Sequence, residues 1–330
     1  MQAVLCVEYG SHETLVVSEV PDPSPQPGQV LIEVRAASLN FPDLLVIRGM
    51  YQYKPEPPFV PGTEAAGVIV GLGDGVEGLT VGQKVTTVNV AGGFATLRVE
   101  DAASVIPLPD TADLEVAAAT TMTYGTSYHA LVQRATIQEG ETMLVLGASG
   151  GVGSAAVEIG NALGATVIAA ASTDEKLAFC TEIGAHHTIN YDTEDLRTRV
   201  KELTGGAGAD VIYDPVGGAL SESAFRAIAW NGRHLVIGFT AGEIPKIPLN
   251  LPLLKGGSIV GVFLGSFTAH EPSEAAANLA AISTMVEDGT LNPRITETFQ
   301  LDEIVDAFDL LATRKAMGKI VVIPVANAQQ

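Results

Sequence analysis

The chain has 330 residues, 47% of them hydrophobic, and a formal net charge of −20 at pH 7. The length accommodates two domains with a large buried core. The charge argues against nucleic acid, whose phosphates would be repelled, and against anionic membrane surfaces, though not against a nucleotide held by a local basic patch.

No run of about 18 apolar residues marks a transmembrane helix, and the start lacks the basic segment and long apolar region of a signal peptide. The two cysteines, Cys6 and Cys180, stand at no ligand spacing. They point to a reducing, cytoplasmic setting without a disulfide framework. Residues 1–9 read as a strand, with 15–19 as its hairpin partner. The proline-rich segment 21–28 is a surface turn, because proline lacks the N–H a sheet ladder needs. Residues 29–36 alternate apolar and polar, as a half-buried strand does. A short helix is expected over 41–49 and an extended loop over 55–61. Further strands follow at 62–73, 82–90 and 92–99, punctuated by glycines, so the first third is β-rich and reads as a partly open barrel. From Ala112 the composition turns alanine-rich and helical, through 114–122 and on to 133.

Residues 143–146 form an apolar run of the kind that fills a buried parallel strand. Gly147, Gly150 and Gly153 follow at three-residue spacing, then a helix over 155–163 and a second apolar strand over 165–171. In this strand–turn–helix–strand setting, glycine allows a tight turn at 147, close backbone approach to a pyrophosphate at 150 and 151, and close helix–strand packing at 153. The helix N-terminus then offers N–H donors to phosphate. Gly147-Ala148-Ser149-Gly150-Gly151 also matches the G-x-S-x-G nucleophile elbow, which occupies the same kind of turn. A serine hydrolase would need an acid and a later histidine, such as Asp214 with His234 or His270.

Beyond this unit, helices at 174–183, 194–203 and 220–229 alternate with strands at 187–190, 210–214, 232–238 and 257–264. The alternation predicts a doubly wound parallel sheet. A long helix over 271–288, another over 302–312 and a last strand over 319–324 complete the chain, the last strand returning to the first domain.

Several stretches in this order resemble the medium-chain dehydrogenase/reductase superfamily, and within it the zinc-independent quinone oxidoreductase group. They are Ser38-Leu-Asn40-Phe-Pro-Asp43 running to Arg48-Gly49-Met50-Tyr51, Pro61-Gly62-Thr63-Glu64-Ala65-Ala66-Gly67, Gly92-Gly93-Phe94-Ala95 and Tyr124-Gly-Thr126-Ser-Tyr-His-Ala-Leu131. The glycine turn, Asp214-Pro-Val-Gly217-Gly218 and Gly318-Lys319-Ile320-Val321 complete the match across the whole chain. The resemblance implies a GroES-like catalytic domain over 1–125, a Rossmann dinucleotide-binding domain over 126–264, and a return to the catalytic domain over 265–330. It also implies a homodimer, through the edge strand at 258–264.

Zinc members of the superfamily carry a cysteine at or near the place of Asn40 and a histidine at the place of Thr63. They also carry a lobe of four cysteines that this chain cannot supply. A catalytic zinc needs about three converging ligands, so no metal is expected. Without zinc nothing polarises an alcohol for hydride release, and the expected direction is reduction of an electrophile such as a quinone or an α,β-unsaturated carbonyl. The oxyanion or enolate so formed needs hydrogen-bond donors and a proton. Tyr51 stands where related enoyl reductases place a proton-donating tyrosine, though it could equally pack on the nearby prolines. Asn40 resembles the amide that the family turns toward the substrate carbonyl or the nicotinamide. Thr126 is a candidate for the nicotinamide carboxamide, or an N-cap.

An NAD site usually carries an acid about 20 residues past the glycines, on the ribose 2′-hydroxyl. Here that count reaches Ala171-Ser172. Ser172 and Lys176 instead suit a 2′-phosphate, and Tyr191 resembles a tyrosine that the family brings to that phosphate, hence NADPH, although Asp174 and Glu175 lie close by. The expected cofactor set is Asn40, Thr126, Gly147, Ser149, Gly150, Gly151, Val152, Gly153, Ser172, Lys176 and Tyr191. By resemblance it extends to Gly217, Gly238, Phe239, Phe263, Leu264 and Lys319. The expected function is NADPH-dependent, zinc-free reduction of a small electrophilic acceptor. A quinone leads, and an enone, alkenal or enoyl-thioester is the alternative. A non-catalytic NADPH-binding protein would carry the same cofactor signals.

Overall fold

The computed structural model describes residues 1–324. They divide into two compact units, one built from Met1–Met122 together with the chain from Pro293, the other from Thr123–Asn292.

The first unit opens with a hairpin of β1 (Gln2–Leu5) and β2 (Val16–Glu19), Gln2 facing Glu19 and Leu5 facing Val16. The long β3 (Gln29–Leu39) follows, with Val30, Ile32 and Val34 turned inward as its alternation requires. After α1 (Phe41–Ile47) come β4 (Glu64–Leu72), β5 (Lys84–Val88), β6 (Leu97–Asp101) and the three-residue β7 (Val105–Pro107), which sequence pattern does not announce. Then α2 (Leu114–His129) leads out of this unit and ends in a π-helical turn over Ala130–Arg134.

The second unit alternates strand and helix: β8 (Thr142–Leu146), α3 (Gly151–Ala162), β9 (Thr166–Ala171), α4 (Asp174–Glu182), β10 (His187–Asn190), α5 (Leu196–Leu203), β11 (Ala209–Asp214), α6 (Gly218–Arg226), β12 (Ile228–Val236), α7 (Asn250–Lys255), β13 (Ser258–Gly261), α8 (Leu264–His270) and α9 (Pro272–Glu287). The strands form one parallel sheet in the order β10-β9-β8-β11-β12-β13. Alternate residues of the same strands fill two cores. Met143, Val145 and Val167 pack with Ala155 and Ile159, while Leu144, Leu146 and Ile168 pack with Leu196, Val200 and Phe225. Burial on both faces is why these strands read as continuous apolar runs. The chain winds outward from β8 to β10, then crosses back to β11, so the winding reverses between β8 and β11. In doubly wound sheets ligands bind in the crevice at such a switch point, outside the carboxyl ends of the strands.

The return consists of β14 (Ile295–Gln300), α10 (Ile304–Ala312) and β15 (Lys319–Ile323). β15 runs antiparallel to β3, Ile320 facing Leu39, and β14 lies parallel to β15. The first unit's main sheet reads β14-β15-β3-β4-β5-β7, with β6 also on β3. β15 pairs with the Ala37–Leu39 end of β3 and β6 with its Gln29–Glu33 end, so one long strand serves both. Val4, Val34, Leu44, Phe94, Phe308 and Ile320 fill the core beneath.

The structure corrects the boundary expected at 265. The second unit extends to Asn292, because Ile282 of α9 and Leu291 belong to its core. The strand expected over 257–264 is confined to Ser258–Gly261, and Leu264 instead opens α8.

Candidate active site

The glycine turn lies in the second unit. Gly147 has φ of 56°, a left-handed conformation that favours glycine, and Val216 Cγ2 would lie 2.9 Å from a Cβ added there. A Cβ on Gly153 would meet the Gly147 carbonyl oxygen at 2.2 Å and Ala148 Cα at 2.8 Å, so only glycine lets α3 start this close to β8. Gly150 is different: a Cβ there would meet only the Gly147 oxygen, at 3.5 Å. The fold itself leaves that space open. Gly150 is the N-cap of α3 and brings no side chain to cap its first turn. A helix start without a side-chain cap is a cradle for an anion. Ser149 is buried at the turn, with Gly151 and Val152 half-buried behind it.

A cationic corner forms at the carboxyl ends of β9 and β10. Lys176 Nζ donates to Ser172 Oγ at 3.2 Å, and Thr173 caps α4 by accepting from the Lys176 N–H at 3.3 Å. Tyr191 follows β10 and donates its backbone N–H to the Ala171 carbonyl at 3.1 Å. The neighbouring acid, Asp174, has one carboxylate oxygen engaged, since Asn190 Nδ2 donates to its Oδ1 at 2.9 Å. Ser172 and Tyr191 are thus half-buried side chains just past the ends of adjacent strands, joined by half-buried Lys176 from the first turn of α4.

Across the switch point, residues 215–218 follow β11. Gly217 has φ of 75° and would set a Cβ 3.0 Å from Phe239 Cδ1. Thr240 and Ala241 donate backbone N–H to the Pro215 and Val216 carbonyls, which keeps Gly238 and Phe239 beside this segment. Phe263 is an exposed residue at the start of α8, followed by half-buried Leu264. Thr126 is half-buried inside α2, not at a helix start, which removes the N-cap reading because the alanine-rich helix runs on through it. Its neighbour Ser127 donates to the Val152 carbonyl at 3.0 Å and pairs with the Tyr213 hydroxyl at 2.8 Å.

The hydrolase arrangement is not assembled. His234 Nε2 bonds Asp214 Oδ2 at 3.0 Å, but His234 Nδ1 has no hydrogen-bond partner among the described residues. A nucleophilic triad needs serine on the imidazole's other nitrogen. The serine that does join Asp214 is Ser221, which donates to the carboxylate itself.

The first unit holds a buried polar cluster. Asn40 is the N-cap of α1 and forms a capping box with Asp43, whose Oδ2 accepts from Asn40 N–H at 2.7 Å and Oδ1 from Thr63 N–H at 2.9 Å. Glu64 accepts from Ser38 Oγ at 2.6 Å, Asn40 Nδ2 at 3.1 Å and Met122 N–H at 2.7 Å. Lys319 Nζ donates to Asn40 Oδ1 at 2.7 Å and stands 3.5 Å from Glu64 Oε2. Ammonium only donates and carboxylate only accepts, so the orientation of the Asn40 amide is fixed. Its N–H groups are directed to Glu64 and Ser38, which leaves a lone pair on Oδ1. Asn40 can thus accept one more hydrogen bond but cannot donate one to a carbonyl.

Burial pulls the Lys319 ammonium below its ordinary range, against the opposing charges of Glu64 and Asp43. Burial pushes the Asp43 carboxyl up to about 7, against the N–H groups of Asn40 and Thr63 and the charge of Lys319. Tyr51 is half-buried, its ring 6.4 Å from that of Tyr53. Burial, then the charge of Asp43, then Tyr53 raise its phenol above the usual range. Among the described residues its hydroxyl makes no hydrogen bond.

Sequence reasoning placed Lys319 on the cofactor and Asn40 on the substrate carbonyl or the nicotinamide, and did not foresee that they bond each other. They lie 279 positions apart, and only the antiparallel pairing of β15 with β3 joins them. The charge on an otherwise apolar final strand was the one available signal.

Comparison with known proteins agrees with this geometry. Residues 26–110 match the model of an alcohol dehydrogenase GroES-like domain, and residues 151–281 that of a zinc-binding dehydrogenase. The chain is 39% identical over 324 residues to a quinone oxidoreductase-like protein 2 homolog of Nematostella vectensis, covering 97% of this chain and 88% of the relative. It is 32% identical to a quinone oxidoreductase of Homo sapiens, covering 98% of each. The crystal structure of Escherichia coli quinone oxidoreductase complexed with NADPH superposes with a TM-score of 0.91 at 26% identity, covering 98% of this chain and 100% of that one. Among the described residues no helix is long and apolar enough to cross a membrane.

Proposed function

We infer the function from one premise: the chain belongs to the quinone oxidoreductase group of the medium-chain dehydrogenase/reductase superfamily, and is an oxidoreductase. We propose that it is an NADPH-dependent, zinc-free reductase of quinones or other small electron-poor acceptors. The observation that carries this reading is the cationic corner of Ser172, Lys176 and Tyr191, with Asp174 bonded to Asn190.

When bound, NADPH supplies a hydride to the electron-poor carbon of the acceptor. The α3 N-terminus and the space above Gly150 suit its diphosphate. Lys176 suits the 2′-phosphate, with Ser172 and Tyr191 as hydrogen-bond donors beside it. Asn40 Oδ1, its amide held by Lys319 and Glu64, suits an N–H donor such as a carboxamide.

The residues at the positions where zinc relatives carry ligands do not fit zinc. Thr63 offers no imidazole, Asn40 offers a neutral amide oxygen bonded to the Lys319 ammonium, and that buried cation opposes a second, divalent one. A quinone acceptor then takes its proton from water. An activated alkene would draw on the free Tyr51 hydroxyl, which favours ene reduction as the second reading. A raised phenol pKa suits Tyr51 to donating a hydrogen bond to the developing oxyanion more than to releasing a proton outright.

The setting we propose is the reducing cytoplasm, in keeping with two free, buried cysteines. The assembly we propose is a homodimer through β13. This strand ends the sheet, and Ile259, Leu253 and Leu254 are exposed near it. Light scattering that shows a monomer at working concentration would remove the dimer.

The function is tested by following NADPH oxidation with 1,4-benzoquinone, a medium-chain enone and an enoyl-CoA side by side. Turnover of the quinone well above the others is expected, and preference for an alkene would move the function to ene reduction. Lys176→Ala should weaken NADPH about tenfold or more and leave NADH nearly unchanged, since only NADPH carries the extra phosphate. Equal losses for the two nucleotides would remove the cofactor assignment.

A further inference from the structure

We propose that Asp214, Ser221 and His234 are positioning residues that clamp segment 215–218 against the glycine turn and so set the width of the nucleotide crevice. The proposal rests on the NADPH-dependent reading above.

Asp214 ends β11, the strand on the far side of the switch point from β8. Its carboxylate is 3% exposed and turned wholly inward. Oδ1 accepts from the Val216 and Gly217 N–H groups, both at 2.9 Å. Oδ2 accepts from Ser221 Oγ of α6 and from His234 Nε2 of β12 at 3.0 Å. Four donors from three elements thus converge on one side chain, which leaves it no capacity for a ligand. Burial alone would raise its pKa, but the hydrogen bond and charge of His234, with the Gly217 N–H and Ser221, hold it below the usual carboxylate range.

These contacts fix where the next residues stand. Val216 is turned onto Gly147, where its Cγ2 would lie 2.9 Å from an added Cβ, and Pro215 Cγ lies at 3.8 Å. The 215–218 segment also accepts from Thr240 and Ala241 and donates from Gly218 to the Glu243 carbonyl. One buried carboxylate therefore holds the wall of the crevice in place against the turn that suits the diphosphate. Among the described residues the His234 ring, tilted beside Phe225 with its Nδ1 unbonded, has Asp214 as its single hydrogen-bond partner. That is the arrangement of a side chain kept for orientation.

The test measures NADPH affinity by quenching of protein fluorescence, with thermal denaturation in parallel. His234→Leu removes a donor from Asp214, and His234→Gln restores an N–H donor. We expect His234→Leu to raise the NADPH Kd about tenfold or more, as expected when a charged group loses a hydrogen bond, and His234→Gln to recover part of it. Ser221→Ala should shift Kd in the same direction and carries the test should His234→Leu fail to fold. If the clamp acts through Val216, then Val216→Ala should reproduce the loss, and adding His234→Leu to it should change Kd by less than about twofold.

Folded variants that lose thermal stability but bind NADPH like the wild type would overturn the proposal, as would losses that add in full in the Val216→Ala background. A wild-type protein that fails to bind NADPH would instead overturn the functional reading, and the clamp with it.

Discussion

Lys319, Asn40 and Asp43 show how single residues acquire their meaning from burial. One ammonium lies among two carboxylates inside the first unit, and Asp43, pushed up to about 7, is the group that adjusts. Its folded value lies above the ordinary 3.8, so between about pH 4 and pH 7 the native state holds a proton that the unfolded chain has released. Asp43 therefore makes stability fall as pH rises through that window, by about 1.4 kcal/mol per unit. Asp43→Asn stays neutral, and its stability measured by urea unfolding should rise relative to wild type from pH 4 to pH 7. A constant difference across that range would refute the assignment. Lys319→Met removes the only cation bonded to Glu64 and Asn40 among the described residues. It should cost about 3 kcal/mol or more, since breaking a buried pair leaves an uncompensated charge. A variant that melts like the wild type would show that solvent already reaches the cluster. The residue types were legible in the sequence as Ser38-Leu-Asn40-Phe-Pro-Asp43 and Gly318-Lys319, but their partnership was not, because nothing local links positions 40 and 319.

At the scale of elements, β8, the glycine turn and α3 were nearly complete in the sequence. An apolar run, three spaced glycines and an alanine-rich helix are short-range signals, and the turn they produce depends on backbone contacts within a few residues. Gly153 and Gly150 separate the two uses of glycine. Gly153→Ala would set a Cβ against backbone at 2.2 Å, so it should destabilise the second unit by about 1–3 kcal/mol and abolish NADPH binding. Gly150→Ala meets nothing closer than 3.5 Å, so it should melt like the wild type and yet weaken NADPH. Equal thermal losses for the two would contradict this division. Elements with weaker local signals escaped notice. Six-residue α7 carries Pro252, three-residue β7 is too short for any period, and β14 is a largely exposed edge strand. α8 was also missed: only its first residue, Leu264, fell within the strand expected over 257–264, and a seven-residue helix is too short to show a clear period.

For the whole molecule, the decisive feature is the return of the chain to its first unit. A protein ending at Asn292 lacks β14, α10 and β15, so β3 keeps β4 but loses its other partner along Ala37–Leu39, and the first core loses Phe308 and Ile320. Hydrogen exchange on that truncated chain should show β3 and β4 unprotected while β8 and β11 stay protected. Uniform protection would mean the first unit does not depend on the return. The sequence by itself determined the glycine turn and the polar residues at the end of β9 through local spacing, and the parallel sheet and the family through the order of local patterns along the chain. The tertiary structure alone decided three things: that the return begins at Pro293, that Lys319 meets Asn40, and that Asp214 gathers Ser221 and His234. Contacts of that kind close long loops, and the residues that make them carry no mark of their partners until the core has brought the strands together.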